Sequence, residues 1–128
     1  MFVLHADRLR ELLMAEGSWP VAAHAGERAA QAAWLIARRA DTQLDVQRLA
    51  LRLLKAAVSD GQAGRKELAM LEDRVAVNEG RKQTYGTQIA DIIDGNPVPW
   101  PCADPDRIDD LRAEAGLKPF AVNAARYA

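Results

Sequence analysis

The sequence predicts a mainly α-helical fold, a compact bundle of four to five helices with a small two-stranded β-ribbon appended. Three observations carry this expectation. Apolar residues recur at helical spacing through most of residues 6–78 and 105–115. Alanine, the strongest helix former, fills 25 of 128 positions. Prolines and an Asp-Gly dipeptide interrupt the helical pattern between residues 84 and 101. With no internal repeat or low-complexity linker, the whole of residues 1–128 reads as one domain.

The first helix is expected from about Ala6 to Glu16, with His5, Leu9, Leu12 and Leu13 sharing a face and Gly17 as its stop. Ser18-Trp19-Pro20 reads as a turn, and Val21 to Ala25 fits no single pattern. The second helix spans about Glu27 to Ala40, its face formed by Ala30, Ala33, Trp34 and Ala37. Thr42 and Asp45 have the spacing of a capping box at the head of a third helix, Leu44 to Ser59. That helix carries the broadest apolar stripe, which marks it as central.

A fourth helix fits Arg65 to Asn78 through Leu68, Leu71 and Val75, and Glu79-Gly80 ends it. Thr84 to Ile89 then favours extended structure. Asp94-Gly95 is a hairpin turn signal, and Pro97, Pro99 and Pro101 confine the following segment to an edge strand or arm. Asp104-Pro105 has the form of a helix start, and the last clear helix runs from Pro105 to Ala115. The tail from Pro119 has room for one more short helix.

Charge and cysteine content narrow the function classes. Seventeen Lys and Arg balance eighteen Asp and Glu, so bulk positive charge cannot drive nucleic-acid binding. A single cysteine, Cys102, leaves no intrachain disulfide and no Cys-rich zinc site, and it has no basic neighbour to activate it. His5 and His24 lack metal-ligand partners at helical spacing. No apolar run approaches the roughly 18 residues of a membrane helix, and the N-terminus lacks the pattern of a signal peptide. The expectation is a cytoplasmic protein that uses no metal or other cofactor and binds neither nucleic acid nor membrane.

The stretch from Asp73 to Gln88 is the richest in polar chemistry. Arg74 and Asn78 lie one turn apart on the fourth helix. Gln83, Tyr85, Thr87 and Gln88 follow on an extended segment beside a glycine. Such convergence of donors and acceptors can orient a small polar ligand, or it can cap the helix and satisfy the ribbon's backbone.

The run Ala33-Trp34-Leu35-Ile36-Ala37, then Asp41, Gln47-Arg48, Asp73-Arg74-Val75, Asn78-Glu79-Gly80-Arg81, Gln83 and Tyr85-Gly86-Thr87-Gln88 resembles the domain-of-unknown-function family 6624. Val98-Pro99 and Asp104-Pro105 fit the same pattern, and the resemblance covers about residues 5 to 120. The family is mostly bacterial and brings no assigned activity. Its members commonly have a histidine where this chain has Arg39.

The expected function is binding of a small polar molecule in a pocket between the second and fourth helices and the segment after Gly80, with cofactor-free acid/base chemistry within reach. In that reading Asp73 is the base, Arg74 a carboxylate or oxyanion partner, and Tyr85 a proton donor. Asn78, Gln83, Thr87 and Gln88 orient the ligand, and Trp34 supplies an apolar wall. The alternative is a non-catalytic interaction module or homodimer whose polar motif is structural, with Trp19 or Trp100 marking the contact surface.

Overall fold

The computed structural model describes residues 2–20 and 25–124. Its elements run α1 (Phe2–Glu16), α2 (Glu27–Arg38), α3 (Leu44–Ser59), α4 (Arg65–Asn78), β1 (Ile89–Ile93) and β2 (Asn96–Pro99). A 3-10 turn (Pro105–Arg107), α5 (Ile108–Glu114) and α6 (Phe120–Ala124) follow. The protein is mainly helical with one two-stranded antiparallel sheet. Its contacts group into two compact units, residues 1–71 and 72–128, with the boundary inside α4. Among the described residues no helix is long and apolar enough to cross a membrane. The ambiguous segment 21–24, which includes His24, and residues 125–128 lie outside the described residues.

In the first unit α1, α2 and α3 pack pairwise. Ala6, Leu9 and Leu13 form the buried face of α1, whereas His5 and Leu12 of the expected face are exposed. The α1 chain ends where the Gly17 N–H reaches back to the Leu13 carbonyl at 2.8 Å, with Gly17 at a φ of +66° that an L side chain rarely adopts. Trp19, considered as an exposed contact residue, is buried instead.

The predicted capping box at α3 does not form. Gln43 is the N-cap residue and makes no side-chain cap bond. The Asp45 carboxylate turns to Arg10 of α1, whose Nε donates to it at 2.9 Å, while Gln43 Nε2 donates to Asp7 at 2.8 Å. These bonds tie the start of α3 to α1, and hydrogen bonding from Gln43 and Arg10 lowers the Asp7 pKa. The other end of α2 is satisfied from α3. Gln47, wholly buried, donates its Nε2 to the Ala37 carbonyl at 3.1 Å and to Asp41 at 3.3 Å. A helix C-terminus leaves carbonyls without intrahelical partners, and a buried amide here answers one of them.

The central position expected for α3 is observed. Val46, Ala50, Leu53, Leu54 and Ala57 are all buried along it. Leu54→Ala is expected to cost about 2–5 kcal/mol, and Leu53→Ala, at the slightly more open position, the lower part of that range. Chemical denaturation of the two variants checks both values and their order.

In the second unit the sheet is shorter than the sequence predicts. β1 and β2 pair Ile92 with Pro97 and Ile93 with Asn96, with an irregularity between Ile89 and Asp91. Asp94 (φ 51°) and Gly95 (φ 79°) make the two-residue turn, as the Asp-Gly signal requires. Thr84 to Gln88, expected to be extended, instead curls into a loop. The N–H groups of Thr84, Tyr85 and Thr87, which a strand would commit to a ladder, all point to one carboxylate. Asp104 precedes the 3-10 turn with Pro105 at its first position, but its side chain makes no cap bond.

Candidate functional site

The loop from Gln83 to Gln88 is built around Asp73, which α4 places in the interior at 1% exposure. Its Oδ1 accepts from Thr84 N at 2.8 Å and Tyr85 N at 3.1 Å. Its Oδ2 accepts from Thr87 N at 3.1 Å and Thr87 Oγ1 at 2.8 Å. A carboxylate is acceptor-only and matches such a set of converging donors. With both oxygens engaged by the loop, Asp73 acts here as an anchor, and the role of base expected for it would require breaking those bonds.

Gln83 frames the same loop. Fully buried, it donates Nε2 to the Gln88 carbonyl at 3.0 Å and the Trp100 carbonyl at 2.8 Å, and accepts from Gln88 N at 3.0 Å. Its backbone also bridges to the segment after β2, donating to the Pro101 carbonyl and accepting from Ala103 N. One residue therefore holds both ends of the loop to the base of the ribbon. Gly86, at a φ of +68°, makes the reversal, and a Cβ there would lie 3.3 Å from Ile108 Cδ1.

From this frame a chain of hydrogen bonds runs outward. Thr87 Oγ1 donates to Asp73 and accepts from Gln88 Nε2 at 3.0 Å, which leaves the Gln88 Oε1 to accept from Arg74 Nη1 at 3.3 Å. The sequence orients the Gln88 amide and points Arg74 beside it, both part-exposed. Asn78 lies one turn further along α4 and is likewise part-exposed. Tyr85 is part-exposed, and its phenol pKa is raised by partial burial and then by the carboxylates of Glu72, Asp73 and Glu114. It therefore keeps its proton as a donor.

Trp34 stands in the first unit. There its indole Nε1 donates to the Glu67 carbonyl at 3.1 Å and the Arg38 guanidinium lies 4.9 Å from the ring centre. The Cys102 thiol, with its pKa raised chiefly by burial, is suited to packing rather than attack.

Sequence reasoning missed Arg112 of α5. It is completely buried, its Nε donating to the Lys118 carbonyl at 2.7 Å and its Nη1 to the Tyr85 carbonyl at 2.9 Å. The loop is thus gripped through the N–H groups on one side by a carboxylate and through the Tyr85 carbonyl by a guanidinium. Burial lowers the Arg112 pKa, and among the described residues its Nη2 has no partner. The signal was present in the spacing: Ile108, Arg112 and Ala115 lie at i, i+4 and i+7, so the arginine occupies an apolar-face position.

Neither the curated proteins nor the solved structures offer a match to this chain. Residues 3–125 do match a family profile, and the match takes in α1 through α6, including the Asp73 anchor and the whole Gln83–Gln88 loop. The chain belongs to the family of unknown function DUF6624.

Proposed function

We propose that the Gln83–Gln88 loop is a preorganised platform that binds a small polar molecule bearing a carboxylate, through Arg74, Gln88 and Tyr85. The observation that carries this reading is the hydrogen-bond chain from Asp73 through Thr87 and Gln88 to Arg74. Burying a carboxylate and a guanidinium is a poor route to stability, since apolar residues of similar volume often do as well. What these buried groups supply is a loop held in one geometry, the condition for precise placement of ligand-contacting side chains. In this reading Asp73, Gln83, Thr87 and Arg112 are positioning residues, and Tyr85 donates a hydrogen bond to the ligand. The function is recognition rather than acid/base turnover.

Thermal melts against a panel of small mono- and dicarboxylates test it. At least one member is expected to raise the Tm of the wild-type protein, as any ligand selective for the folded state does. Arg74→Ala is expected to abolish the shift, and Gln88→Ala and Tyr85→Phe to reduce it, while each leaves the ligand-free stability within about 1 kcal/mol. No shift with any panel member, or variants that lose stability yet keep the shift, would overturn the proposal.

A second reading, an interaction module that self-associates, is favoured by one specific feature. Ile93, Val98 and Trp100 are all more than a third exposed on the ribbon, at 54%, 37% and 44%. Light scattering distinguishes it: a concentration-dependent dimer lost on Trp100→Ser supports it, and a monomer at all concentrations excludes it.

A further inference from the structure

The first unit contains a cleft of about 840 Å3. It lies among α1, the turn after it, α2 and the C-terminal half of α3. Alanine composition explains why it is open. α2 turns Ala29, Ala32 and Ala33 toward it, α3 turns Ala56 and Ala57, and methyl groups cannot fill the space that longer side chains would close. Leu9, Leu12, Leu13, Ile36 and Leu53 supply apolar wall, and the buried Trp19 closes one side. Its volume and its apolar lining fall within the range of small-molecule sites.

Charge at the cleft is specific in sign. Glu16 and Asp60, which both line it, stand at the C-terminal ends of α1 and α3. Neither helix has a basic residue in its last turn, so the partial negative charge of each terminus adds to the carboxylate beside it. Among the described residues Glu16 and Asp60 have no basic partner, whereas Arg8, the lining residue of opposite sign, is paired with Glu11 at 3.2 Å. We infer that the cleft binds an amphipathic cation, a molecule with an apolar body seated on the alanine and leucine walls and an ammonium head at Glu16 and Asp60.

Three probes of equal chain length separate the components: decylamine, decanol and decanoate, titrated by calorimetry at pH 8. Decylamine is expected to bind most tightly, decanol more weakly and decanoate least. The double variant Glu16→Gln/Asp60→Asn is expected to weaken decylamine by about threefold to tenfold and to leave decanol unchanged. Ala32→Phe, at an exposed α2 position facing the cleft, is expected to abolish binding of all three. Should Ala32→Phe disturb the fold by circular dichroism, the carboxylate variant decides alone, because both its sites are on the surface. Absence of decylamine binding, decanoate binding as tight as decylamine, or an amine affinity indifferent to the two carboxylates would overturn the assignment.

Discussion

Asp73→Ala is expected to lower the stability of the protein by about 3–5 kcal/mol, the range seen when one partner of a buried charged network is removed. Three backbone N–H groups and the Thr87 hydroxyl converge on that carboxylate, and all four would lose a charged acceptor. Asp73→Asn is expected to recover little, because the amide replaces one acceptor oxygen with a donor that faces the same N–H groups. Urea denaturation reads the loss, and hydrogen exchange at Thr84, Tyr85 and Thr87 locates it. Protection at these three amides should vanish before the protein unfolds globally. A loss below about 1 kcal/mol would mean the loop is held by something other than its anchor.

The second large effect is expected at Arg112. Arg112→Met keeps much of the volume but leaves the carbonyls of Tyr85 and Lys118 without their charged donor, a loss of about 2–4 kcal/mol for two part-buried hydrogen bonds. Part of this is offset because the buried guanidinium has an Nη2 without a partner among the described residues. Asp73 and Arg112 grip the same residue, one at the Tyr85 N–H and the other at the Tyr85 carbonyl. The double variant Asp73→Ala/Arg112→Met is therefore expected to lose less than the sum of its single changes, since the first substitution already frees what the second would free. Additive losses would show that the two charges act on independent parts of the unit.

These expectations rest on side-chain placements that differ in how far the sequence announces them. The helices α1 to α4, the Asp94-Gly95 turn and the central position of α3 follow from spacing alone. Apolar periodicity, glycine stops and turn dipeptides are local, and local physics acts before any tertiary contact exists. The stretch from Asp73 to Gln88 was likewise visible as an excess of polar groups, because such groups are expensive to bury without partners.

Spacing did not reveal which partners they find. Thr84 to Gln88 has the composition of a strand and curls because one carboxylate on α4 gathers its N–H groups. Asp45 has the spacing of a capping residue and turns away because Arg10, 35 positions earlier, offers a charged donor. Arg112 stands at an apolar-face position of a short acidic helix, but spacing does not announce that its partner is the Tyr85 carbonyl, 27 positions earlier. The alanines that α2 and α3 turn toward α1 and the turn after it line a cleft, which periodicity alone does not show. By itself the sequence determined the helical fold class, the hairpin turn and the family. Only the tertiary structure decided which polar groups are anchors and which face outward, because a hydrogen bond between residues distant in sequence depends on where packing delivers both partners.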